Sequence, residues 1–186
     1  ILLAEKGAKE GSLTSDESDM VTNALKLDEV QVSEIMTPRV VVTALDKSLT
    51  VENVFKKTPH LHFARIPVFD EELDNIVGIV RRRDLLTQIA DDNDDVRLVD
   101  IMDDVRFVPE TVTAYSALQA MLKSHQQLLA VVDEFGSLAG VVTMEDIMES
   151  ILGREIFEKD DVAIDMRELA RNENSEANDP LTHKES

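Results

Sequence analysis

The chain of 186 residues has no cysteine and no tryptophan, and only one tyrosine and six phenylalanines. Without cysteine there is no disulfide framework and no thiolate metal site, which fits a reducing compartment. No apolar run approaches the roughly 20 residues needed to span a bilayer. The longest, around residues 128–132, has the length of a strand. The opening ILLAEKG lacks the organisation of a signal peptide. It also lacks an initiator Met, which reads as the mark of a fragment cut from a longer protein. Basic residues are scarce, with 19 Lys and Arg against 38 Asp and Glu and a formal net charge of -19. That balance disfavours attraction to nucleic acid or anionic lipid by bulk charge. An anionic ligand would need local help from helix N-termini or single arginines. No catalytic constellation can be assembled around His60, His62, His125 and His183, so an enzyme is not expected.

What the sequence does hold is a repeat. GIVRRRDL at 78–85 and GVVTMEDI at 140–147 both run Gly, two apolar β-branched residues, three others, then Asp. They end two longer copies, which begin at 32–57 and 98–124. Each copy opens on an Ile-Met pair (Ile35-Met36, Ile101-Met102) and continues into a β-rich run, Val40 to Leu45 or Val105 to Val108. Each then reaches a Thr able to cap a helix, Thr50 or Thr113. Strand pairs follow, at 64–70 with 75–80 and at 128–134 with 138–142, joined by EELD and FGS turns. Helices over 81–90 and 144–153 close the copies, and Gly153 is a plausible stop.

The expected fold is therefore α/β (α+β), with two β-α-β-β-α units packed as a pseudo-two-fold pair. One such unit buries too little surface to be comfortable alone. The expected boundaries are 1–29 for an N-terminal linker and helix, 30–91 and 92–153 for the units, and 154–186 for a polar, partly disordered tail. Residues 5–19 read as loose. Residues 16–27 read as a capped helix with Met20, Val21, Ala24, Leu25 and Leu27 near one side. The acidic linker 91–98 lacks the Gly and Glu of a calcium loop, and a short strand or helix is expected over 162–171.

The repeated phrase has a plain structural explanation. Thr143 is a good N-cap, and Asp146 stands where a capping-box acid belongs. The first copy strains that explanation, because Arg81 cannot cap as Thr143 does. Three arginines in a first turn also oppose the helix dipole, yet Asp84 keeps its place. A carboxylate beside a hydroxyl at a helix N-terminus can accept hydrogen bonds from ribose hydroxyls, and the backbone N–H groups there can meet phosphate.

The two units resemble a tandem pair of cystathionine-β-synthase (CBS) domains, a Bateman module. The motifs IMTPR, RIPV and GVVTMEDI, in that order, resemble the CBS region of the hemolysin-like CorC and cyclin-M (CNNM) magnesium-transport proteins. The resemblance covers about 15–160. It implies a regulatory module that binds ATP or AMP, with Mg²⁺ accompanying the nucleotide. It implies a homodimer and a transmembrane domain in the same full-length protein, at the cytoplasmic face of the inner (plasma) membrane. One nucleotide site would use Thr37, Phe63, Ala64, Arg65, Ile66, Val141, Thr143 and Asp146. There Thr143 and Asp146 hold ribose, Val141, Ile66 and Phe63 sandwich adenine, and Arg65 meets phosphate. A pseudo-symmetric second site, expected to be empty or weak, would use Asp84, Val108, Leu129 and Ala130. In it Arg81 replaces the signature hydroxyl and Asp103 replaces the counterpart of Thr37. The alternative is a purely structural dimerisation module with a degenerate pocket.

Overall fold

The computed structural model describes Gly11 and residues 13–154. The chain divides into two compact units, 1–154 and 155–186, and every described element belongs to the first. The expectations for the tail and for 162–171 lie outside the described residues.

Helix α1 (Ser15–Lys26) starts at a capping box in which Thr14 and Glu17 satisfy each other's backbone N–H groups. Short helix α2 (Val32–Ile35) leads into β1 (Thr37–Pro38), a 3-10 turn (Arg39–Val41) and β2 (Leu45–Asp46). Helix α3 (Val51–Lys57), hairpin β3 (Arg65–Asp70) and β4 (Glu72–Arg81), and α4 (Arg82–Ala90) complete the first half. The second half repeats the order with α5 (Leu98–Ile101), β5 (Phe107–Pro109), α6 (Ala114–Ser124), β6 (Leu128–Val132), β7 (Leu138–Thr143) and α7 (Met144–Leu152). Thr50 and Thr113 cap α3 and α6 as the sequence predicts. Gly153 ends α7 in the left-handed region at φ 66°, where a residue without Cβ avoids strain.

The strands form two sheets, β2-β3-β4 and β1-β7-β6-β5. Each sheet buries one face under its own helices and the other against the opposite sheet. Val80 and Ile66 join Leu85 and Val54 in one core, while Val142 and Leu129 join Ile147 and Met121 in another. Between the sheets lie Ile79, Leu128 and Val141, and beside them Ile76, Ala130 and Leu138. This double burial explains strands that read as continuous apolar runs rather than alternating ones.

The two halves exchange their opening segments. Val32, at the start of the first repeat, is fully buried in the second half's core, with Ile35 and Met36 packed against it. Leu98, at the start of the second repeat, is fully buried in the first half's core, with Ile101 and Met102 beside it. Paired bridges mark the exchange on both sides, Gln31 with Thr113 and Thr50 with Arg97.

Several local expectations are corrected. The run Val40 to Leu45 is not one strand: Val40 and Val41 are 89% and 64% exposed in the 3-10 turn, and pairing resumes only at Leu45. The EELD segment is not a four-residue turn. Glu71 alone reverses the chain at φ 64°, and β4 begins at Glu72. Residues 15–19 belong to α1 rather than to a loose segment. The apolar side of α1 is not its packed side, since Ser18 is buried while Val21 and Leu25 are 43% and 59% exposed.

Candidate functional site

The end of β7 and the start of α7 form one hydrogen-bonded knot. Thr143 Oγ1 accepts from the Asp146 backbone N–H at 3.2 Å and donates to Asp146 Oδ2 at 2.8 Å. The Thr143 backbone N–H donates to the same oxygen at 2.6 Å. Among the described residues Oδ1 takes no hydrogen bond, so one carboxylate oxygen remains for a ligand. Burial pushes the Asp146 carboxyl above the ordinary aspartate value. The bonds from Thr143 oppose that shift, and the nearby charges of Glu149 and Glu145 add to it.

The rest of the expected set comes from the other half. Thr37 on β1 pairs with Val141 on β7, and Pro38 with Gly140, so the first repeat's arm lies along the strand that ends at Thr143. Phe63, 54% exposed, and exposed Ala64 precede β3. Arg65 opens β3, and its guanidinium is hydrogen-bonded to the Gln127 side chain. Gln127 in turn accepts from the Met144 backbone N–H at 3.0 Å. Arg65 of the first half is thereby tied to the first turn of α7 in the second.

Two members of the set stand differently. Ile66 has no exposed surface and packs in the first half's core with Val80 and Leu85. The adenine-sandwich role expected of its side chain is closed to it in this arrangement. The pleat explains why: successive side chains on a strand face opposite ways, so with Arg65 at the inter-half cleft, Ile66 faces the helices. Val141 is 6% exposed and lies between the sheets with Ile79 and Leu128.

The second site is corrected more heavily. Leu129 and Ala130 are fully buried and Val108 is 9% exposed. Leu129 and Val108 belong to the second half's core, and Ala130 to the seam between the sheets. Strand register supplies the true counterparts. Arg81 pairs with Arg65 as Thr143 pairs with Leu128, and Asp103 bridges Ile79 as Thr37 pairs with Val141. The positions that answer Arg65, Ala64 and Phe63 are therefore Leu128, Gln127 and Gln126. These three line a cavity of about 130 Å³ with Arg65, Arg81 and Asp103. Asp84 meets it through Arg81, whose Nε donates to Asp84 Oδ2 at 2.5 Å.

Gln126 and Gln127 escaped the sequence reading, and so did the backbone-anchoring role of Arg82. Gln126 Nε2 donates to the Asp104 carbonyl at 2.7 Å, and its buried Oε1 has no partner among the described residues. Arg82 Nη1 donates to the carbonyls of Leu61 and His62 at 3.1 and 2.8 Å, and its backbone N–H donates to that of Ala64 at 3.0 Å. The only signal for Arg82 was the anomalous run of arginines at a helix start.

Among the described residues no cluster of three or more metal-ligating side chains occurs, and no helix is long and apolar enough to cross a membrane.

A family profile for the CBS domain matches residues 32–91 and 98–153. The chain is 34% identical over 169 residues to a UPF0053 protein of Synechocystis sp., covering 91% of this chain and 49% of that protein. It is 30% identical over 173 residues to the magnesium and cobalt efflux protein CorC of Salmonella typhimurium, covering 91% and 58%. It thus spans about half the length of these relatives. Among solved structures, the CBS domain of the bacterial CNNM/CorC family Mg²⁺ transporter aligns with a TM-score of 0.79 at 34% identity, over 84% of this chain and 95% of that one. The same family's CBS domain in complex with ATP aligns with a TM-score of 0.70 at 37% identity, over 74% and 98%. With two profile matches, a pseudo-two-fold pair of sheets and these relatives, the chain belongs to the CBS-domain family, as a tandem pair of the CNNM/CorC Mg²⁺-transporter type.

Proposed function

We propose that this CBS pair binds one adenine nucleotide, ATP or AMP, at Thr37, Phe63, Ala64, Arg65, Val141, Thr143 and Asp146, and so controls a membrane-embedded divalent-cation transporter. The observation that carries the reading is the composite site. The Thr143–Asp146 knot belongs to the second repeat; from the first, Thr37 pairs with Val141 on the strand that leads to it, and Arg65 is bonded to Gln127, whose carbonyl accepts from the Met144 N–H. A ligand held by both halves stabilises one arrangement of them, and a change of affinity between arrangements is what a regulatory site requires. Asp146 Oδ1 and Thr143 meet the ribose hydroxyls, Phe63 offers an exposed aromatic face to the base, and Arg65 exchanges Gln127 for phosphate. In a chain of charge -19, Mg²⁺ travelling with ATP neutralises phosphates that one arginine cannot.

In this reading the CBS pair formed by the units at 30–91 and 92–153 associates with that of a second copy as a homodimer on the cytoplasmic face of the membrane. The relay runs through a transmembrane domain of the same full-length protein. A reading as a purely structural dimerisation module draws on one observation, that the capping box alone accounts for Thr143 and Asp146. Calorimetric titration with ATP, in Mg²⁺ and in EDTA, and with AMP separates the two. Saturable binding that is lost in Asp146→Ala supports the regulatory site. No heat from a folded wild-type chain leaves the structural module, and equal ATP affinity in EDTA and Mg²⁺ removes the metal from the account.

A further inference from the structure

We propose that His60 and His62 form a two-imidazole site for a borderline divalent transition cation such as Ni²⁺ or Zn²⁺, on the segment that leads into the proposed nucleotide site. The segment lies between the end of α3 at Lys57 and the start of β3 at Arg65. Leu61, 7% exposed, anchors it in the first half's core. Arg82 grips its main chain, with Nη1 donating to the carbonyls of Leu61 and His62 and the backbone N–H donating to that of Ala64. These contacts use backbone carbonyls and one leucine side chain. Both imidazoles are left over.

The two rings flank Leu61 and lie together, with centroids 6.2 Å apart and planes 22° from parallel. His60 is exposed and His62 half-buried. Apart from each other, neither ring has a hydrogen bond or an ion pair among the described residues. A neutral imidazole carries one nitrogen with a free lone pair. Across 6.2 Å, a small turn of each ring brings both lone pairs to one ion, with metal–nitrogen bonds of about 2.1 Å. The grip on the main chain sets this spacing before any ion arrives, which lowers the cost of ordering the pair on binding.

The ligand type selects the ion. With no cysteine in the chain, imidazole nitrogen is the donor that Ni²⁺ and Zn²⁺ favour, whereas Mg²⁺ prefers carboxylate and water oxygens. Two protein ligands are fewer than a closed structural zinc site uses, so water holds the remaining positions and the ion exchanges. The second imidazole on the same held segment raises affinity about a hundredfold or more over one alone. Phe63 and Ala64 follow directly in the chain. Ordering the rings leaves less to order when a nucleoside meets Phe63, so the two ligands favour each other. That link alone rests on the proposed nucleotide site.

Calorimetry with NiCl₂ and ZnCl₂ on the full chain, free of any polyhistidine tag, tests the site. Wild type is expected to take one equivalent, with affinity weakened about a hundredfold in His60→Ala and in His62→Ala and unchanged in His125→Ala and His183→Ala. Circular dichroism and melting check that each variant folds. By NMR, Zn²⁺ is expected to move the Cε1–H resonances of His60 and His62 together, and MgCl₂ to leave them in place. Undiminished metal binding in folded His60→Ala and His62→Ala, or equal shifts with Mg²⁺, would overturn the site. Adenosine, which has no phosphate to carry a metal, reads the link to the pocket. Its affinity should rise severalfold with Zn²⁺ in wild type and not in His62→Ala, and equal affinity with and without Zn²⁺ in wild type would overturn that link. No adenosine binding at all would remove the nucleotide reading and the link with it, while the metal site still stands or falls on the calorimetry.

Discussion

Gly140 lies under the main chain of Thr37. A Cβ placed on Gly140 would overlap the Thr37 carbonyl oxygen and stand 3.1 Å from Met36 Sδ. Gly78 repeats the relationship, its absent Cβ falling 2.7 Å from Met102 Sδ and 2.9 Å from the Asp103 carbonyl oxygen. The glycine that opens each repeated phrase is thus a place where one half lets the other half's arm pass. Neither glycine has a positive φ, so close approach is the reason for both.

Gly140→Ala is expected to destabilise the fold by about 2 kcal/mol, a typical cost of forcing atoms into a filled space. Gly78→Ala should cost less, because its nearest neighbour is a flexible Met side chain. Urea denaturation followed by circular dichroism measures both. Equal or negligible losses would show that the arms yield to the added carbon.

Capping gives a second expectation. Thr143→Ala removes the acceptor for the Asp146 N–H and a donor to the Asp146 carboxylate together. It should therefore cost more than Thr50→Ala or Thr113→Ala, each of which deletes an exposed cap worth about 1 kcal/mol. Thr143→Ser should recover most of the loss. A smaller effect at Thr143 than at Thr50 would contradict the coupling.

The repeat, both hairpins, the caps at Thr50, Thr113 and Thr143 and the stop at Gly153 were legible because each depends on local chemistry. The Thr143–Asp146 knot was legible for the same reason. The exchange of arms was not, since nothing local in VSEIM says that Val32 is buried in the other half's core. Nor was the facing of Ile66 and Leu129, because strands buried on both sides carry no alternation to show which face is which. Gln127 was passed over because it acts through its reach to Arg65 across the halves. The three arginines were noticed as an anomaly, but their partners, Asp103 and the carbonyls of Leu61 and His62, come from distant segments.

Asp146 gives a pH expectation. Its folded value is raised, chiefly by burial. The native state therefore holds this proton more tightly than the unfolded state does. The stability that Asp146 contributes is complete below its unfolded value and is lost as pH rises through its folded value. At neutral pH the buried charge is a cost. Asp146→Asn keeps an oxygen to accept from Thr143 and carries no charge, so its stability relative to wild type should grow as pH rises from about 3.5 to neutrality. Urea midpoints of both proteins across that range give the difference, in which groups common to both cancel. A difference independent of pH would mean that burial does not raise this carboxyl.

Arg82 offers the sharpest separation between neighbouring arginines. Its Nη1 holds the carbonyls of Leu61 and His62, its N–H holds that of Ala64, and Leu61 is itself 7% exposed and anchored in the first half's core. The segment so fixed carries Phe63 and Ala64 to the proposed nucleotide site. Arg83, next along, has a side chain 75% exposed that lies 3.4 Å from Asp84 in an ion pair. Arg82→Gln should therefore speed amide exchange across residues 60–64 and weaken nucleotide affinity roughly tenfold, the scale of one lost hydrogen bond to a charged donor. Arg83→Gln should change neither. Arg82→Lys, which keeps the charge and one donor direction, should recover part of the exchange protection. Faster exchange with unaltered affinity would confine Arg82 to the fold. Unaltered exchange would mean that the loop is held by Leu61 burial alone.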